Sequence, residues 1–213
     1  MAHPHLLSKG EIKEKYDGFA RWYDLVEALP EFFGLRTLRR RLAERVQGRT
    51  LEVAAGSGKN LKLLPKGIEL VQGDISRGML RIADKRAQRL GISPGFALLD
   101  AEHLPFREDS FDTVISTLSS CTFPDPALAF QEMSRVCKPD GRILLLEHGR
   151  SSSRLIGWYQ DRRAHSHASK FGCQWNRHPV QIARDAGLQL VDCRTHFFDI
   201  FAVMEAKPQS PSH

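Results

Sequence analysis

Short aliphatic runs alternate with helical patterns along most of the chain. Leu51 to Ala54, Ile68 to Gln72, Phe96 to Leu99, Thr113 to Ser116 and Arg142 to Glu147 predict strands, most of them flanked by Gly, Asp or Pro. Between them, Ser76 is placed to cap a helix running through Met79, Ile82, Ala83 and Leu90 and ending at Gly91. Asp125-Pro126 starts another helix, through Leu128 and Val136. Strands alternating with helices predict a mostly parallel sheet covered on both faces, so the fold class is α/β. Upstream, Leu35, Leu38, Leu42 and Val46 form an apolar stripe at helical spacing among Arg36, Arg39, Arg40, Arg41, Arg45 and Arg49, which predicts a basic amphipathic helix. Downstream the rhythm is lost. Gly149 to Trp175 has no clear period and is expected to be an insertion, after which Pro179 to Gly187 looks helical. Leu188 to Cys193 and Asp199 to Ala206 predict two closing strands, paired as an antiparallel hairpin, and Pro208 to His213 is a polar tail.

A chain of 213 residues with 41% hydrophobic and 26% charged residues fits one domain with its own core, and excludes a disordered, collagen-like or coiled-coil chain. The longest aliphatic run, Ile143 to Leu146, is far short of the roughly 18 apolar residues that a membrane span needs. Met1 to Gly10 lacks the layout of a signal peptide, so the expected location is the cytoplasm. Cys121, Cys137, Cys173 and Cys193 are far apart with no C-x-x-C pair; they are expected to be reduced thiols, without a disulfide or metal site. The net charge of +6 favours an acidic partner or surface.

In an open α/β sheet, ligands bind beyond the carboxyl ends of the strands. The first strand leads into Glu52-Val53-Ala54-Ala55-Gly56-Ser57-Gly58, whose glycines let backbone approach a ligand at an expected helix N-terminus. The second ends at Asp74, where a carboxylate can accept both hydroxyls of a ribose. The third ends in Asp100-Ala101-Glu102, which offers an acid and a backbone N–H to the edge of an adenine. Three successive strand ends suit one nucleoside.

The run from Leu51 through Gly141 resembles the class I S-adenosylmethionine-dependent methyltransferases, and within them the ubiquinone and menaquinone C-methyltransferase branch. The resemblance is carried by Val53 to Gly58, by Gly73-Asp74-Ile75-Ser76 with Met79-Leu80, by Asp100-Ala101-Glu102 with Leu104-Pro105-Phe106, by Ser110-Phe111-Asp112, and by Arg135 to Gly141. It implies a single Rossmann-like domain with a seven-stranded sheet. It also implies S-adenosyl-L-methionine as cofactor, held by Glu52, Ala54, Gly56, Ser57, Gly58, Asp74, Ile75, Met79, Asp100, Ala101, Glu102 and Thr117. Tyr16-Asp17 and Ala20-x-x-Tyr23-Asp24 resemble the lid helix of the same enzymes, with Tyr16 or Tyr23 near the cofactor. Phe171 to Arg177, preceded by Trp158, resembles the C-terminal part of the methyltransferase-like 7 thiol methyltransferases. The organisation expected is a lid with basic helices over 1–48, a cofactor-binding core over 49–148, an acceptor-site insertion over 149–178, a closing helix and strands over 179–207, and the tail. A Rossmann dehydrogenase is the nearest competitor, but its third glycine position is Leu61 here.

Methyl transfer from a sulfonium is an in-line displacement, and a nucleophile carrying a proton must lose it. His148, after the fifth strand, is the first candidate for that general base; the alternative is that it only hydrogen-bonds the following loop. His165, His167 and His178 are expected at the surface or in packing, His103 in solvent, and Cys173 as a buried thiol with no base beside it. His165-x-His167 lacks a third ligand and is not expected to hold a metal. No Asn/Asp-Pro-Pro-aromatic motif is present, and nucleic acid is not an expected partner. What remains is a small or lipophilic acceptor: a quinol, a thiol or a phospholipid amine. The arginine-rich helix, with Trp22, Phe32 and Phe33 upstream, offers a face for peripheral contact with an anionic membrane surface. The alternative function is a non-catalytic binding subunit of the same fold, docking through that helix.

Overall fold

The computed structural model describes residues 7–26 and 34–208, with only the backbone of 19–26. The elements run α1 (Lys9–Val26), α2 (Arg36–Ala43), β1 (Arg49–Val53), β2 (Glu69–Asp74), α3 (Arg77–Leu90), β3 (Gly95–Leu98), β4 (Phe111–Thr117), α4 (Pro126–Val136), β5 (Cys137–His148), α5 (Arg154–Phe171), α6 (Pro179–Asp185), β6 (Gln189–His196) and β7 (Phe201–Lys207). Seven strands form one sheet in the order β3-β2-β1-β4-β5-β7-β6. β1 to β5 are parallel, whereas β7 runs antiparallel to both β5 and β6. This is the single α/β Rossmann-like domain with a closing antiparallel hairpin that the sequence predicts. The strand order reverses between β1 and β4, so the carboxyl ends of those two strands flank a crevice.

The alternating strand period distributes the core over two faces. Ile143 and Leu145 of β5 join Phe111, Phe130, Met133 and Met204 under α4 and α6, while Leu144 and Leu146 face the other way onto Leu35, Leu38, Leu42 and Val46. The apolar stripe of the arginine-rich helix is therefore spent on the sheet, at roughly 2 kcal/mol per buried leucine. Its leucines are not available to a membrane. Trp22 and Tyr23 have side chains outside the described residues, as do Phe32 and Phe33 entirely.

The expected helix signals act as read. Ser76 Oγ accepts from Met79 N at 3.0 Å and Gly91 closes α3 at φ 67°, while Asp125 accepts from Leu128 N at 3.0 Å ahead of Pro126. One expectation fails. The glycine loop leads into turns over residues 56–63 and not into an α-helix, because Gly56 and Gly58 both take positive φ. The unpatterned stretch 149–175 contains the 18-residue α5, whose buried residues are only Gly157 and Gln160; a helix with so narrow a buried face leaves no apolar period to read.

Candidate functional site

The carboxyl ends of β1, β2, β3 and β4 open into a groove lined by Ala54, Gly56, Asp74, Ile75, Met79, Asp100, Ala101, Glu102 and Thr117, with Lys9, Ile12 and Tyr16 of α1 over it. At its floor Ala54 is held at φ 54°, a left-handed conformation that costs a non-glycine residue on the order of 1 kcal/mol. Gly56 follows at φ 57°, and a Cβ built there meets nothing within 4 Å, so this backbone faces open groove. Its amide donates to Asp74 Oδ2 at 2.8 Å, and Ser76 N donates to Oδ1 at 2.8 Å. Burial pushes the Asp74 carboxyl up to about 6 against those two donors. Asp100 accepts from Glu102 N at 3.0 Å. Lys9 Nζ reaches Asp100 and Glu102 at 2.5 and 2.7 Å. Burial works against ionisation of Asp100, but Lys9 and the Glu102 amide outweigh it and hold the carboxyl below its ordinary range. Asp17 latches α1 to the start of α3, accepting from Ser76 Oγ at 2.6 Å and Gly78 N at 2.7 Å.

Three residues expected at the cofactor are not on the groove wall. Glu52 alternates away from it and is fully buried, accepting from Asn60 and Gln72 at 2.6 Å each; Ser57 and Gly58 are buried, Gly58 close against Leu61 and Ala83. Behind Thr117 lies a network that the sequence reading missed. Arg39 is only 4% exposed, and its Nη1 donates to Thr117 Oγ1 at 2.6 Å and Asn60 Oδ1 at 3.2 Å. A signal was present: Arg39 stands four residues after Leu35 and three before Leu42, on the stripe that packs inward. Arg45 pairs with Asp192 and Glu205, and Arg49 with Glu69, so the basic stretch is partly committed within the fold.

Tyr16 and Leu118 line both this groove and a second cavity of about 680 Å³ behind it. Its walls are largely apolar, with Leu35, Ile156, Tyr159, Phe171, Trp175 and Phe201 among them; Cys121, His148 and Cys173 line it too, as do the polar Lys15, Gln160, His167 and Lys170. These three come from the loop after β4, the end of β5 and the turn after α5. His148 Nε2 lies 3.4 Å from Cys173 Sγ, so the nitrogen expected to act alone as a base is already engaged by a thiol, and Cys173 does have a base beside it. Cys121, His148 and Cys173 have donor atoms all within 4.8 Å of one another. The Cys121 thiol donating to Cys173 holds Cys173 well below the thiol range, with His148 and His167 reinforcing this against burial; Cys121 is correspondingly pushed up. No motif marks this group, because its members stand 27 and 25 residues apart and only the topology joins them. His167 stacks on Trp175 at 4.0 Å and borders the cavity, whereas His165 and His178 are exposed. His103 is exposed beside Asp100.

Residues 51–145 match the methyltransferase domain family model. Among curated proteins, the mitochondrial methyltransferase OMS1 of Saccharomyces cerevisiae is 30% identical over 85% of this chain and 43% of its own length. Phosphatidylethanolamine N-methyltransferase of Cereibacter sphaeroides is 34% identical over 52% of this chain and 57% of its own. The chain thus spans about half the length of the curated relatives it matches. Among solved structures, a S-adenosylmethionine-dependent methyltransferase of Thermotoga maritima, described as a possible histamine N-methyltransferase, shares the fold with a TM-score of 0.69 at 19% identity, over 92% of this chain and 99% of that one.

Proposed function

The chain belongs to the class I S-adenosylmethionine-dependent methyltransferases, related to the ubiquinone and menaquinone C-methyltransferases, and from that premise we propose that it methylates a small, largely apolar acceptor. The observation that carries this reading is the pair of chambers meeting at Tyr16 and Leu118, an acid-lined groove and a largely apolar cavity that Cys121, His148 and Cys173 also line. S-adenosylmethionine, when bound, supplies an electrophilic methyl group. Asp74 would accept from its ribose hydroxyls, Asp100 and the amides beside it would hold the adenine, and the backbone at Ala54 and Gly56 would hold the methionine portion. The groove's carboxylates favour a cationic ligand electrostatically. Tyr16 and Ile12 close over the groove and exclude water, which also strengthens those interactions. The cavity orients the acceptor toward Thr117 and Leu118, and the acceptor's proton leaves at its Cys121, His148 and Cys173 end. The network through Arg39 and Asn60 fixes the Thr117 hydroxyl, a positioning role.

Relatives named for a phospholipid amine and for demethylmenaquinone support a lipid-like or small acceptor. The test is transfer of label from methyl-tritiated S-adenosylmethionine into a panel of thiols, quinols and phosphatidylethanolamine vesicles. Label in one class identifies the acceptor chemistry; binding of the cofactor with no transfer to any class would instead favour a non-catalytic binding subunit.

A further inference from the structure

Cys121, His148 and Cys173 carry more chemistry than a chance hydrogen-bond cluster requires. A tetrahedral zinc ion with Zn–S near 2.3 Å and Zn–N near 2.0 Å spaces a sulfur and a nitrogen ligand about 3.5 Å apart. Cys173 Sγ and His148 Nε2 are 3.4 Å apart, and all three donor atoms fall within 4.8 Å of one another. We propose that Cys121, His148 and Cys173 form a zinc site whose fourth position opens into the apolar cavity and takes a thiol acceptor as its thiolate. The thiol part rests on the methyltransferase reading; the zinc part does not.

The three donors are held before any ion arrives. Glu147, fully buried, accepts from Ser119 N at 3.0 Å, Ser120 N at 3.1 Å and Ser120 Oγ at 2.8 Å, which fixes the loop carrying Cys121 from one side. From the other side, Arg177 Nη1 donates to the carbonyls of Ser120 and Phe123 at 2.5 and 2.7 Å. Gln174 N donates to the Cys121 carbonyl at 2.8 Å, tying the backbone next to Cys173 to Cys121. Gly172, at φ 71°, makes the left-handed turn that ends α5 and brings Cys173 back toward β5. His148 follows Glu147 directly, so the strand that anchors the loop also presents the imidazole. Such support is what holds metal ligands in place.

The donor set selects the metal. Two thiols and one imidazole, with no carboxylate among them, suit zinc and disfavour magnesium or calcium. Three protein ligands leave one position of a tetrahedron, and all three residues line the 680 Å³ cavity. A thiol entering that position releases its proton to solvent water. The thiolate sulfur then forms the new sulfur–methyl bond, while the methyl–sulfonium bond breaks and its electron pair returns to the cofactor sulfur. The neutral thioether that results is a weak zinc ligand and leaves.

The test uses the full chain, stripped of metal with a chelator under reducing conditions and titrated with cobalt(II). One equivalent is expected to bind, with a near-ultraviolet thiolate-to-cobalt band and the visible bands of four-coordinate cobalt, and one equivalent of zinc is expected to displace it. Cys121→Ser and Cys173→Ser each lose about half of the thiolate band, one sulfur ligand of two. His148→Gln keeps both sulfurs and weakens binding, and Cys193→Ser, with an exposed thiol on β6, matches the unchanged chain. Cobalt bound below one equivalent, a missing thiolate band, or an undiminished band in Cys173→Ser overturns the site. Beta-mercaptoethanol, at concentrations that leave the cobalt bound, is expected to shift the visible bands; an unshifted spectrum overturns the open position. All these signals are read without S-adenosylmethionine. Bands without methyl transfer remove the premise and leave the zinc site; methyl transfer without bands removes the zinc site and leaves the premise.

Discussion

Replacing Asp74 with asparagine separates what this carboxylate does for the fold from what it does for the cofactor. In the fold its ionised form is a net cost. The displacement of its pKa from 3.8 to about 6 means that keeping it ionised at neutral pH costs roughly 3 kcal/mol relative to the unfolded chain, a figure already net of the hydrogen bonds from Gly56 N and Ser76 N at 2.8 Å each. Asp74→Asn removes that cost, so the melting temperature at pH 7 should rise. In the groove the effect is a loss: removal of a charged acceptor for the ribose hydroxyls should cost about 1.5–3 kcal/mol, which raises the S-adenosylmethionine dissociation constant about 10- to 100-fold. Because folding raises this pKa, the group's contribution to stability is most favourable below pH 3.8 and is lost as pH rises to about 6, while cofactor affinity rises over the upper part of that window as the carboxylate forms. Both slopes should vanish in the variant. Calorimetric titration between pH 5 and 8, with thermal unfolding in the same buffers, reads all of this. An unchanged dissociation constant would falsify the ribose assignment, and a lower melting temperature at pH 7 would refute the cost assigned to burying the carboxylate.

Further outcomes follow from other parts of the structure. Glu147→Ala leaves the Ser119 and Ser120 amides unpaired in the interior and should cost about 3 kcal/mol, seen as a lower urea midpoint at unchanged slope. Leu42→Ala opens a hole between α2 and the sheet, at about 2–5 kcal/mol by the same assay; a loss under 1 kcal/mol would mean that the stripe is not core. Asp17→Ala removes the latch between α1 and α3, so amide exchange should speed up along α1 and stay unchanged in the sheet. Equal protection of α1 in variant and parent would show that the latch does not hold the helix down.

The parts of the fold legible in the sequence are those where one physical signal dominates. β1, β2, β4 and β5 carry aliphatic runs with buried residues, Ser76 and Gly91 bracket α3 as cap and left-handed stop, and Pro126 follows its Asp125 cap. α5 was illegible because it buries almost nothing, and periodicity reports burial. At the site, Asp74 and Asp100 were readable since one ends β2 and the other lies two residues past β3, where α/β sheets collect ligands. Glu52, also on a strand, shows the limit of that rule: one residue of alternation turns it from the groove into the buried network with Asn60 and Gln72. Arg39 was masked by its arginine neighbours, although its spacing from Leu35 and Leu42 marks it as inward. Cys121 had no local signal and Cys173 only its place in the Phe171 to Arg177 resemblance, since their meeting depends on where β4 and α5 end.

The most direct test of the central claim is calorimetric titration of the full chain with S-adenosylmethionine, with NADH as the contrasting dinucleotide. One molecule of S-adenosylmethionine bound per chain, and no heat from NADH, is the predicted result. Absence of S-adenosylmethionine binding to folded protein would contradict the account at its base.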